Sequence, residues 1–313
     1  MSCHVLYVTS VNMKPRFGNG ESHTRRPRPF SYTFPYYYGV KHFPGDGDRS
    51  ISKRRRIRPS AVSLELPLLP FNMNEVLVPS ESKTLHLYEA RYLALLEESL
   101  LRKKLFVHFV LDPIAIGNSG GEASFAARYG CLVLIENIEQ LDVGALVFIR
   151  GIGRVKIIKF LQADPYLKGE VRPQQDMVLD STTNITSKVL QVKEALHSLN
   201  TLEIKLKVSL SSYAPKGAPL QTSCLNSLTW AENELSLECD KDFVPSSAER
   251  VSFAAFQPVS GSTQSELLKL QEEKLKAMNL KDTAQRLDNS VELIKENISM
   301  VAAKLAIQSL EMQ

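Results

Sequence analysis

The chain has 313 residues, 43% of them hydrophobic, with a net charge of +4 and four cysteines. That length suits one large domain or two small ones, and the apolar share is enough for a core. No run reaches the roughly 18 apolar residues of a membrane span, and Cys3, Cys131, Cys224 and Cys239 form no Cys-x-x-Cys pair, so no membrane segment, zinc site or disulfide framework is expected.

Residues 1–60 hold 12 Lys or Arg against Glu21, Asp46 and Asp48, which leaves 26 basic and 31 acidic residues for 61–313. The basic character belongs to the tail. The remainder is mildly acidic, which argues against nucleic acid as its partner. The tail carries Arg25-Arg26-Pro27-Arg28-Pro29, an aromatic stretch from Tyr32 to Tyr38, and Lys53-Arg54-Arg55-Arg56. It keeps no apolar period and lacks the compact apolar core of a secretory signal. Such a stretch reads as a disordered basic transit peptide, of the chloroplast type. A mitochondrial presequence and a nuclear-type basic cluster are the alternatives.

The ordered part begins with Leu66-Pro67-Leu68-Leu69-Pro70-Phe71, a short apolar strand whose prolines mark ends or edges. Glu75-Val76-Leu77-Val78-Pro79 reads as a second strand, followed by a polar turn. After Glu89 the period becomes helical, with Leu93, Leu96 and Leu100 on one face. Glu98 and Arg102 are four apart and can pair, and Arg102-Lys103-Lys104 place positive charge at the helix end. Further strands follow at Leu105–Leu111 (ended by Asp112-Pro113), Leu132–Ile138, Ala145–Arg150 and Val155–Phe160. Asp142-Val143-Gly144 and Gly151-Ile152-Gly153 read as the hairpin turns. Successive antiparallel pairs predict a meander closing into a small barrel over 61–180.

Residues 181–262 read as helical. A helix at 186–208 buries Val189, Val192, Leu196, Leu199 and Ile204. A Pro/Gly/Ser loop at 211–223 precedes shorter helices at Cys224–Leu237 and Ser246–Phe256. Trp230, the single tryptophan, reads as core. Residues 263–313 predict one long amphipathic helix. Leu280, Ala284, Leu287, Val291, Ile294, Ile298, Val301 and Leu305 are spaced alternately four and three, the seam of a coiled coil. That seam can serve a homodimer or a partner helix, or fold back on its own domain.

Chemistry is sparse. No Gly is followed by Lys, so the phosphate-binding loop Gly-x-x-x-x-Gly-Lys-Ser/Thr is absent. Gly117-Asn118-Ser119-Gly120-Gly121 matches the nucleophile-elbow pattern, and a hydrolase assembles on paper from Ser119, Asp164 or Asp176, and His197. The elbow needs a strand running straight into the serine, and Pro113 interrupts it. A flexible Gly/Ser loop is the plainer reading. His86 and His108 sit on apolar stretches and read as core or surface. No catalytic, cofactor or metal residues are assigned.

Taken in order, Leu66-Pro67-Leu68-x-Pro70, Val76-Leu77-Val78-Pro79 and Leu87-Tyr88-Glu89-x-Arg91-Tyr92 resemble the amino-terminal, substrate-binding domain of Lon proteases. The likeness continues through Phe106–Val110, Gly130–Val133, Arg150–Val155 and Asp164–Val171. It is closest to the stand-alone versions of that domain. The family usually places Gly where this chain has Ser80, and often Pro where it has Ala90. The resemblance implies an α+β fold: a PUA-like antiparallel β-barrel, then a helical half ending in a long helix. It implies a non-catalytic protein that binds polypeptide substrates or protease and chaperone partners in organellar quality control, with no ATPase or Ser-Lys peptidase module. Arg91, Tyr92 and Arg154 are either ligand contacts or residues that fix the helix on the barrel. A PUA-like RNA-associated protein is the second reading and a Ser119 hydrolase the third.

Overall fold

The computed structural model describes residues 62–114, 124–176, 182–210, 223–233 and 241–311. The basic tail, Ser119 with its glycines, and most of the 211–223 loop lie outside these residues. Leu64–Phe71 forms β1. Leu64–Leu68 runs antiparallel to β6 (Leu167–Pro173), and Leu68–Phe71 runs parallel to β3 (Leu105–Ile114). Pro67 and Pro70 therefore lie inside the strand, not at its ends. Among the described residues each half of β1 has one flank without a partner strand, and such a flank tolerates a residue with no N–H to donate.

The expected strand at Glu75–Pro79 is absent from the sheet. Met73–Glu75 is a 3-10 turn, and β2 is Ser82–Leu87, where the sequence suggested a polar turn. Val76, Leu77 and Val78 are buried, but their backbone is tied to side chains. Val76 N–H donates to Gln271 Oε1 and Val78 N–H to Glu81 Oε2, both at 3.1 Å. Apolar, β-prone residues predict burial correctly here and the ladder wrongly. Ser80 has φ 68°, the left-handed conformation that glycine adopts without cost.

Helix α1 (Ala90–Leu101) begins directly after Glu89, as the period predicts. Leu95 and Leu96 are buried while Leu100 is exposed, so the buried face is turned from the predicted stripe. Glu98 and Arg102 pair at 3.0 Å, which with Lys168 holds the Glu98 carboxyl below its usual range.

β4 (Ser124–Gln140) and β5 (Ala145–Gln162) pair antiparallel from Gln140–Ala145 to Gly130–Val155, with Asp142-Val143-Gly144 as the turn. The sheet order is β2-β5-β4-β3-β1-β6, and β6 returns to the second half of β5 to close the barrel. The β1–β3 pair is parallel, so the barrel is mixed, not wholly antiparallel. β3 also runs on through Asp112-Pro113. Gly151-Ile152-Gly153 is no turn. β5 is continuous there, and the glycines permit close approach: a Cβ on Gly151 would lie 2.4 Å from the Val78 carbonyl, and one on Gly153 2.8 Å from that of Phe243. Leu68, Val107, Phe109, Leu132, Ile152 and Val171 fill the interior.

The helical half comprises α2 (Thr182–Leu210), α3 (Cys224–Glu232), α4 (Ser247–Phe253), α5 (Gln264–Asn279) and α6 (Thr283–Glu311). The predicted single helix over 263–313 is thus two. Leu280 is extended, and the Asp282 carboxylate accepts from Ala284 N–H at 2.8 Å, an N-cap that restarts the helix. Helices α2 and α6 lie side by side and point the same way. Lys188 meets Asp288 near their starts, and Lys304 reaches the Gly261 carbonyl, beside Leu206, near their ends. Val192, Leu196, Leu199 and Leu206 face Leu287, Ile294 and Val301 in one apolar cluster. The heptad seam is therefore filled inside the chain and is not open for a homodimer. Ile204 is exposed and Leu206 takes its expected place. Trp230 is half-buried against the same cluster, with the Arg150 guanidinium 5.6 Å from its ring centre.

Candidate functional site

The exposed part of the Leu87–Tyr92 signature lies where β2 ends, α1 begins and the β4–β5 turn folds over them. Gly144 makes this possible. Its φ is 82°, and a Cβ there would stand 2.2 Å from the Leu87 carbonyl. His86 Nε2 lies 3.0 Å from the Val143 carbonyl, which can only accept, so Nε2 carries the proton. The His86 and Tyr88 rings are 5.4 Å apart and tilted. Arg91 pairs with Glu89 at 2.6 Å and lies over the Tyr92 ring at 4.9 Å. Burial pushes the Tyr92 phenol up, with Arg91 opposing. Val143 is 68% exposed and Tyr88 39%. This rim offers aromatic and aliphatic faces beside an arginine whose charge is already paired. Exposed apolar faces of this kind are the sort of surface that takes part in protein–protein contact.

Arg154 is placed differently. It lies buried between barrel and helices and donates to Glu249 Oε1 (2.8 Å), to the carbonyls of Met278 (3.2 Å) and Leu280 (2.6 Å), and to Asp176. Arg286 of α6 also donates to Asp176, to Ser252 Oγ at 2.8 Å and to the Leu280 carbonyl at 2.7 Å. Thr283 Oγ1 donates to Asp176 at 2.6 Å. Burial alone would raise the Asp176 carboxyl, but Arg286 and Arg154 outweigh it and hold it below the usual range. At Glu249 burial prevails over Arg154 and the carboxyl is pushed up. Of the three residues weighed as contacts or fixtures, Arg154 is a fixture. Arg91 bonds Glu89 at its own helix start and, among the described residues, no strand end, and its side chain is half-exposed.

Ser119, the nucleophile of the paper hydrolase, lies outside the described residues. Asp176 is fully engaged by two arginines, Asp164 lies exposed in the β5–β6 turn, and His197 is exposed on α2. Among the described residues no group of three His, Cys, Asp or Glu could hold a metal ion, and no helix is long and apolar enough to cross a membrane. Cys131 is buried, and burial pushes its thiol far up, so it is no nucleophile.

A family model described as the ATP-dependent protease La (LON) substrate-binding domain matches residues 65–307. The chain belongs to that family. The match spans the barrel, the Arg154–Asp176–Arg286 joint and most of α6, so α6 is part of the Lon domain and no appendage to it. Two solved structures are similar: a Lon N-terminal domain protein from Xanthomonas campestris, 19% identical, covering 72% of this chain and 96% of that one with a TM-score of 0.37, and the N-terminal domain of the Mycobacterium avium complex Lon protease, 15% identical, covering 74% and 98% with a TM-score of 0.40. No curated protein matches the chain. Sequence reasoning on this Lon domain missed Glu249 and Arg286, and weighed Asp176 only for a hydrolase and not for this joint. One signal for them exists: Thr283, Arg286 and Ser290 form a polar stripe at helical spacing beside the apolar seam of α6, and all three are buried.

Proposed function

We propose that this Lon-domain protein is a non-catalytic binder of polypeptide segments, acting in substrate recognition or as an adaptor in organellar protein quality control. The observation that carries the reading is the rim: exposed Tyr88 lies tilted against His86, whose Nε2 meets the carbonyl of exposed Val143, and at the adjoining start of α1 Arg91 lies over half-buried Tyr92. Family membership supports polypeptides as the ligand class, and the basic tail supports import into chloroplasts. The test is peptide-array binding by residues 61–313, followed by fluorescence-polarisation titration of the best apolar peptides. Tyr88→Ser with Val143→Ser should weaken binding roughly tenfold or more while the melting temperature holds. Unchanged affinity would remove the rim from the reading, and hydrolysis of ATP or casein by the purified protein would end the non-catalytic part. Uptake of a residue 1–60 fusion by isolated chloroplasts tests the address.

A further inference from the structure

Helix α5 lies over the 72–82 segment on the outer face of the barrel. The contact is polar where it matters. Lys274 of α5 meets Glu81 at 2.6 Å with both side chains buried, and the other Glu81 oxygen holds Val78 N–H. Gln271 of α5 holds Val76 N–H. At the far end of α5, Asn279 reaches the Tyr129 hydroxyl at 3.3 Å. These bonds keep Val76, Leu77 and Val78 buried, although their sequence is that of a strand.

His108 sits under this contact. Its neighbours Val107 and Phe109 point into the barrel, so His108 points out. It is fully buried, stacked on Phe71 at 3.8 Å, and neither ring nitrogen has a hydrogen-bond partner among the described residues. The Glu75 backbone beside the ring favours the protonated form, but less than burial and Lys83 oppose it. The charged and titratable groups around it are Lys83 from β2, Lys274 from α5, Glu75 and Glu81 from the 72–82 segment, and Cys131, its cross-strand neighbour on β4. Glu75 is taken by Lys83 at 3.4 Å and Glu81 by Lys274, so both of these carboxylates are already paired with a cation.

We propose that His108 is an acid-operated latch: its protonation places a third cation beside Lys83 and Lys274, releases α5 from the 72–82 segment and uncovers Val76–Val78. Burial first, then Lys83, keeps the ring neutral near neutral pH. The uncovered segment is apolar and extended, the kind that pairs with another chain. The latch rests on the polypeptide-binding reading for its use, but not for its existence.

Hydrogen exchange of the full chain tests it, read at about pH 7.5 and about pH 5 and corrected for intrinsic rates. Backbone amides of α5 and of Val76 and Val78 should lose protection roughly tenfold or more at the lower pH, while those of α6 hold. His108→Phe keeps the stack on Phe71 and should abolish the response. His108→Gln, neutral at both values, is the second variant and should behave alike. Equal protection of α5 at both values, or a response that persists in either variant, would overturn the latch; persistence would point to Glu81. Apolar-peptide binding that is the same at both values would leave the rim reading intact and remove only the proposed use.

Discussion

Leu68, Val107, Phe109 and Val171 fill the barrel with no charged group among them, whereas Arg154, Asp176, Glu249 and Arg286 fill the contact between barrel and helices. Both regions are buried. They differ in how much a single change disturbs them. An apolar core loses contacts in proportion to the atoms removed. A cluster of buried charges loses its balance, because each remaining ion is left without a partner in a place water does not reach. The barrel interior therefore supplies bulk stability, and the joint fixes where the helical half sits.

Asp176→Ala is the sharpest way to break that contrast. It strands Arg154 and Arg286 together, and urea unfolding should show a loss of about 3–5 kcal/mol. A loss below about 1 kcal/mol would mean that the joint is a passive contact. Leu68→Ala in the barrel and Leu287→Ala in the α2–α6 seam should each cost about 3 kcal/mol, similar to one another because both are cavity effects. Gly144→Ala should cost at least the about 1–2 kcal/mol of an L-residue in a left-handed turn, because its Cβ would also meet the Leu87 carbonyl, and it should also lower peptide binding at the rim, unlike the core changes. Glu249→Gln should cost least. Burial raises the folded-state pKa of Glu249, so the folded state holds its proton more tightly than the unfolded one, and the wild-type carboxyl gains stability as pH falls through that raised value. The glutamine variant should match or exceed the wild type near neutral pH, and the gap should close on acidification. Asp176 runs the other way: its depressed carboxyl contributes stability above the unfolded value of 3.8 and loses it as pH falls through the folded one. Two acids in one joint with opposite slopes distinguish it from an ordinary surface ion pair.

The local features were legible in the sequence. The start of α1 after Glu89, the Asp142–Gly144 turn and the Glu98–Arg102 pair depend on residues within four or five positions of one another. The α6 seam was legible as a seam, because its spacing is an internal property of the helix. Its partner was not, since the α2 residue that meets Asp288 lies 100 positions earlier in sequence. Val76–Val78 shows the same limit: the residues ask to be buried, and Gln271 decides that they are buried outside the sheet. Gly151 and Gly153 look like turn glycines until Val78 and Phe243 are brought against them. Of the site, Tyr88, Arg91 and Tyr92 could be singled out as a motif, but Val143 joins them only because the hairpin folds back. Arg286 is buried against Asp176, 110 residues earlier, a partner that nothing local to α6 announces.

The parallel arrangement of α2 and α6 has a consequence for how the protein is made. Lys188 and Asp288 meet, yet 100 residues separate them. At a ribosome's usual pace, α2 emerges about 5–20 s before the helix that covers it. For that interval Val192, Leu196, Leu199 and Leu206 form a sticky apolar stripe on a nascent chain. A protein proposed to bind exposed apolar segments thus begins its own life as one, and depends on being finished before another binder finds it.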